Sequence, residues 1–122
     1  MKVLLADDDE DQLLLRSMLL AERGFDTVKA PDCESAIRVA RAERPDCAVI
    51  DLRFPTEELG LRTVRELKSL NPEIRVLVLT GGNSERVARR PEAALIDQII
   101  TKGRSSSELI QKLQSIRDDA RD

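Results

Sequence analysis

Five side chains spread along the sequence are of types that can act together on phosphate: Asp7, Asp8, Asp51, Thr80 and Lys102. Three carboxylates brought together repel, and raise one another's pKa unless a cation sits among them. Oxygen donors without His or thiolate suit a hard divalent ion, Mg2+ first among them. Such an ion also takes a phosphoryl oxygen as ligand. Phosphoryl transfer then needs an in-line nucleophile, neutralisation of charge and little else. One carboxylate can be the nucleophile, while a hydroxyl, an ammonium and the ion hold the phosphoryl oxygens.

Taken singly, each residue has an ordinary explanation. Asp7 to Asp9 could be solvated carboxylates at a helix start, where the positive end of the helix dipole favours them. Asp51 could cap a turn, Thr80 could be a plain strand residue and Lys102 a solvated loop lysine. The set becomes specific only if the fold gathers it in one place.

The elements that must do so are legible as short apolar runs alternating with longer amphipathic ones. Residues 3–6 read as a buried strand stopped by Asp7, Asp8 and Asp9. Residues 11–23 read as a helix with Leu14, Leu15, Met18 and Leu19 as its apolar stripe, and Gly24 as its stop. Residues 25–30 form a second strand, and Asp32 N-caps a helix to about Glu43, with Ala36, Ile37, Val39 and Ala40 inward. The third strand, 47–50, delivers Asp51. A helix over 59–70 turns Val64 and Leu67 inward and is broken by Asn71-Pro72. The strand 74–79 delivers Thr80, and 99–101 delivers Lys102. Ser105 and Glu108 fit a capping box for a last helix carrying Leu109, Leu113 and Ile116. Between Gly81 and Asp97 the pattern weakens. Pro91 follows Arg89 and Arg90, so a short helix from about Ser84 and then irregular chain are expected.

Strand–helix alternation with nearly continuous apolar strands implies a doubly wound α/β fold, a parallel sheet of five strands with helices on both faces. Right-handed crossovers put every strand's C-terminal end on one rim, where ligands of open sheets bind. Asp7, Asp8, Asp51, Thr80 and Lys102 all follow strand ends and so should meet there.

Composition narrows the alternatives. The 122 residues fit one compact domain over 1–122, with 41% hydrophobic but only 2% aromatic residues. A net charge of -3 argues against direct nucleic-acid binding, which needs a basic face. The absence of His removes the commonest general base and any phosphohistidine relay within the chain. Cys33 and Cys47 are not spaced as a zinc knuckle, and both read as inert buried thiols. Neither a signal peptide nor a membrane span is expected, and a reducing cytoplasm is the natural setting.

Four segments in order carry a family resemblance: Val3-Leu4-Leu5-Ala6-Asp7-Asp8-Asp9; Pro45-Asp46-Cys47-Ala48-Val49-Ile50-Asp51-Leu52-Arg53-Phe54-Pro55; Val76-Leu77-Val78-Leu79-Thr80-Gly81; and Ile99-Ile100-Thr101-Lys102. With these, the sequence resembles the receiver domain of bacterial two-component response regulators over essentially its whole length. The resemblance implies a flavodoxin-like sheet of order 2-1-3-4-5. It implies that Asp51 is the phosphoacceptor and that Asp7, Asp8, Asp51 and the backbone carbonyl of Arg53 hold Mg2+. Thr80 would hydrogen-bond the phosphoryl group and Lys102 would pair with it. The phosphodonor would be a histidine kinase or a histidine phosphotransfer protein, the output a switched protein partner, and a homodimer fits the scheme. The chain would be a switch with slow self-dephosphorylation, not an enzyme.

Two readings compete. A phosphorylation-independent interaction module of the same fold would have no need of the full acidic set. A small Mg2+-dependent phosphohydrolase would need a substrate cap and a second acid after Asp51. The sequence also departs from the family pattern. Gly103 follows Lys102 where proline is usual, and Ile99 stands where an aromatic is usual. Ala94-Leu95 replaces the usual Ala-Gly, and the loop after Pro55 is one residue longer than usual before Gly60. The last expectation is that phosphorylation reorders the stretch from Gly81 to Leu95, presenting or withdrawing Arg86, Arg89 and Arg90.

Overall fold

The computed structural model describes residues 1–82, 84–102 and 107–121. Its strands are β1 (Lys2–Ala6), β2 (Asp26–Ala30), β3 (Cys47–Asp51), β4 (Arg75–Thr80) and β5 (Gln98–Thr101). Its helices are α1 (Glu10–Ala21), α2 (Cys33–Glu43), α3 (Glu57–Leu70), α4 (Ser84–Ala88) and α5 (Ser107–Arg121), with a 3-10 turn over Pro91–Leu95. The five strands form one parallel sheet of order β2-β1-β3-β4-β5, as the family resemblance implied.

Alternation along the strands feeds two cores. Leu4, Ala48, Ile50, Val76 and Val78 pack with Ala36 and Ala40 of α2 and with Leu61, Val64 and Leu67 of α3. Val3, Leu5, Cys47, Val49, Leu77 and Leu79 pack on the other face with Leu13 and Leu20 of α1 and with Leu109 and Leu113 of α5. β3 is buried at every position, so its C-terminal residue, Asp51, is carried to the centre of the rim.

The face that α1 turns inward corrects the expectation. Leu13, Ser17 and Leu20 are buried, whereas Leu14, Leu15 and Met18 are 52%, 50% and 57% exposed. The apolar residues of this helix form two overlapping stripes, so periodicity alone does not choose between them. Ser17 lets the inner stripe approach the sheet, because its hydroxyl donates to the Leu14 carbonyl at 2.8 Å and needs no outside partner.

The weak stretch before β5 is more regular than expected. Val87 is fully buried and anchors α4, and Pro91 opens the 3-10 turn, where its missing N–H costs nothing. Asp32 caps α2 as expected, accepting the Ser35 N–H at 2.7 Å within a capping box. The box expected from Ser105 lies outside the described residues. Both cysteines are buried and free. Burial, with the charges of Asp97 and Asp46, pushes the Cys47 thiol up to about 12, so it is uncharged at neutral pH. No helix among the described residues is long and apolar enough to cross a membrane.

Candidate functional site

At the C-terminal rim an open cavity of about 590 Å³ is lined by Asp7, Asp8, Asp51, Arg53 and Lys102. Register explains why they meet. Ala6 pairs with Ile50, so Asp7 follows β1 at the level where Asp51 ends β3. Asp51 pairs with Leu79, and Thr80 pairs with Thr101, so Lys102 leaves β5 just beyond the end of β4, on the same rim. The Lys102 N–H donates to the Thr80 carbonyl at 2.7 Å and fixes that exit.

Asp51 is 5% exposed. Its Oδ1 accepts the Arg53 N–H at 3.0 Å, and its Oδ2 receives Lys102 Nζ in close contact. Burial raises its pKa above the ordinary carboxylate value; the Lys102 bond opposes the rise and the adjacent Asp7 adds to it. Asp7 is 1% exposed and accepts the Asp9 N–H on Oδ1 at 2.9 Å. Its Oδ2 accepts Nη1 of Arg16 at 2.6 Å.

The expected residues do not all arrive in the same way. Asp7, Asp51 and Lys102 form the buried centre, while Asp8 lines the cavity from an exposed position. Arg53 is at the wall, where its N–H is bonded to Asp51. Thr80 is buried at the end of β4, outside the cavity lining. Among the described residues no three acidic groups converge as a ready metal cluster.

Arg16 was missed in the sequence. A signal was present: it is the lone basic residue between Lys2 and Arg23, and it follows Asp9 and Gln12 at helical spacing. The loop from β3 to α3 holds Asp51 from behind. Phe54 is wholly buried, the Leu52 N–H donates to the Leu79 carbonyl at 2.9 Å, and the Phe54–Pro55 peptide is cis.

The model of the response regulator receiver domain matches residues 3–114. The chain belongs to this family. A probable transcriptional regulatory protein of Mycobacterium tuberculosis, TcrX, is 34% identical over 93% of this receiver domain and 48% of its own length. This receiver domain spans about half the length of the curated relatives it matches. The receiver domain of the Francisella response regulator 1452 is 27% identical with a TM-score of 0.85, covering 98% of each chain. Response regulator TrrA of Thermotoga maritima, solved in complex with Mg2+-BeF, shares the fold at a TM-score of 0.82 and 21% identity, covering 93% of this chain and 96% of its own.

Proposed function

We propose that Asp51 is the phosphoacceptor of this receiver domain and that its phosphorylation switches contacts with a downstream protein. The observation that carries this is the pairing of Asp51 with Lys102 at the floor of an open rim cavity. A carboxylate oxygen of Asp51 attacks the phosphorus of a phosphohistidine on a separate protein. The P–N bond breaks, its electron pair returns to the imidazole, and an aspartyl phosphate forms. Lys102 lies beside the oxygen that would be modified and can follow the new phosphoryl oxygens. Thr80, at the end of β4, would hydrogen-bond the phosphoryl group. Hydrolysis of the aspartyl phosphate resets the switch and turns over no external substrate.

Asp7, Asp8, Asp51 and the Arg53 carbonyl are the residues that would hold Mg2+. Their donors are all oxygens, and two of the carboxylates already draw cationic side chains, so the donor set fits a hard cation. When bound, the ion supplies neutralisation of the phosphoryl charge at the site of attack. TrrA, which shares the fold, was solved in complex with Mg2+-BeF, which supports Mg2+ as the ion.

The donor is a histidine kinase or a histidine phosphotransfer protein. The exposed Leu14, Leu15 and Met18 give it a landing surface continuous with the cavity, because Leu15 also lines the cavity. We read residues 1–122 as one receiver domain working in the cytoplasm, without direct contact to nucleic acid or membrane.

The test is intact-protein mass after incubation with acetyl phosphate and Mg2+. With no Trp in the chain, mass serves as the readout in place of tryptophan fluorescence. Wild type gains one phosphoryl group and Asp51→Asn gains none. Equal labelling of both would move the acceptor elsewhere.

A further inference from the structure

The buried centre of the site is already balanced in charge before any ion enters. Asp7 and Asp51 stand side by side, and each holds one cation of its own. Lys102 serves Asp51, and Arg16 serves Asp7 across 2.6 Å with its side chain only 13% exposed. The Lys102 pairing is what a phosphoacceptor site requires. The Arg16 pairing is not required by that chemistry, and it engages a carboxylate assigned to the metal.

Both oxygens of Asp7 are in use, Oδ1 by the Asp9 N–H and Oδ2 by Arg16. A carboxylate has further lone pairs, so coordination is not blocked by valence. The obstacle is charge. A guanidinium bonded to the ligand oxygen repels a divalent cation arriving at the same group, and the partly buried setting screens that repulsion poorly. Arg16 therefore has to leave Asp7 or be displaced from it as the ion enters. Its position on α1, at the wall of an open cavity, gives the side chain somewhere to go. Asp8 lies outward at the same wall, as expected of a site whose cationic role is filled from within.

We propose that Arg16 is a resident counter-cation that competes with Mg2+ for Asp7, lowering the affinity for the ion and stabilising the ion-free domain. This rests on the reading of the cavity as the Mg2+ site. Loss of Arg16 would leave the Asp7 carboxylate buried beside Asp51 with Lys102 as the remaining cation, which is costly until an ion restores the balance.

Calorimetric titration of Mg2+ into chelator-treated, dialysed protein tests this, together with thermal midpoints with and without Mg2+. Arg16→Gln should bind Mg2+ about ten-fold more tightly than wild type, the lower end of what groups supporting a metal site contribute. Its ion-free midpoint should fall, and its gain from Mg2+ should grow. Arg16→Lys, which keeps the charge, should stay within about three-fold of wild-type affinity, well short of that outer-shell effect. An Arg16→Gln variant that folds only on adding Mg2+ supports the proposal; one that stays unfolded at saturating Mg2+ overturns it. If wild type and Arg16→Gln bind with equal affinity, the competition is wrong and the site stands. If neither binds Mg2+, the site reading fails and takes this inference with it.

Discussion

Arg86 of α4 donates to the Glu57 carboxylate in the first turn of α3 at 2.6 Å, and Arg90 repeats the pairing with Glu58 at 2.7 Å. Arg65 of α3 also reaches Glu92 of the 3-10 turn at 3.2 Å. Two of the three arginines expected to be offered to a partner, Arg86 and Arg90, are thus engaged by the helix that follows the Asp51 loop. Ile99 has no ring to turn inward, and this ionic link joins α4 to the helix that follows the Asp51 loop, so it is a route that a change at Asp51 could take.

Hydrogen exchange with beryllofluoride and Mg2+ should therefore alter protection over residues 84–95 in the wild type. In the double variant Glu57→Gln, Glu58→Gln that change should shrink, while the change beside Asp51 remains. Each pair is exposed on at least one side, so the double variant should lose no more than about 1 kcal/mol per pair. Unchanged exchange over 84–95 in the wild type would mean that α4 does not take part.

At Gly60, α3 packs directly against the backbone of the loop that follows Asp51. A Cβ there would sit 2.1 Å from the Leu52 carbonyl oxygen, which is backbone and has nowhere to go. Gly60→Ala should cost roughly 3 kcal/mol, the upper end for overpacking. It should also slow labelling by acetyl phosphate, because the strain is relieved by shifting the segment that follows Asp51. Chemical denaturation and the labelling time course check both. A stability change below about 1 kcal/mol would show that the helix tilts away at little cost, since overpacking of this kind ordinarily costs 1–3.

Much of this was written plainly in the sequence. Five strand-like runs, four of them ending in a residue that can do chemistry, fix both the sheet and the rim that gathers Asp7, Asp51 and Lys102. What escaped was information that depends on phase and distance. α1 carries Leu13, Leu14 and Leu15 in a row, so helical spacing supports two faces, and the packing around Ser17 decides between them. Arg16 escaped for the same reason, because its role follows from the face that α1 presents. Arg86 and Arg90 meet Glu57 and Glu58 from 29 and 32 residues away, a pairing that no local pattern encodes.

Asp32 gives a pH-dependent term whose sign is fixed by its bonds. The Ser35 N–H, then the Ser35 hydroxyl, favour its ionised form and hold its pKa below the ordinary 3.8. Such a group stabilises the fold above its unfolded pKa, and the contribution is lost as pH falls through the folded value. Asp32→Ala should cost about 1 kcal/mol at pH 7 by removing the cap. The gap to wild type should narrow as pH drops below 3.8. Asp32→Asn keeps an acceptor for the Ser35 N–H and should hold most of the capping stability without the acid dependence. Urea unfolding across this range reads all three, and an Asp32→Ala deficit that is constant with pH would remove the charge from the account.

Substitutions on the exposed stripe of α1 can test recognition of a protein donor apart from the proposed chemistry at Asp51. Leu14, Leu15 and Met18 sit on the solvent side of a helix whose inner contacts are made by Leu13 and Leu20. Replacing Leu15 and Met18 by Gln therefore removes no core contact and should change stability by about 0.5 kcal/mol or less. Labelling by acetyl phosphate, which needs only the cavity, should proceed at the wild-type rate. Transfer from a phosphorylated histidine kinase that labels the wild type should slow at least about ten-fold, as expected when apolar anchors at the centre of an interface are lost. Equal slowing with both donors would place the defect in the cavity wall, where Leu15 also stands. Unchanged transfer from the kinase would show that the protein donor lands elsewhere on the rim.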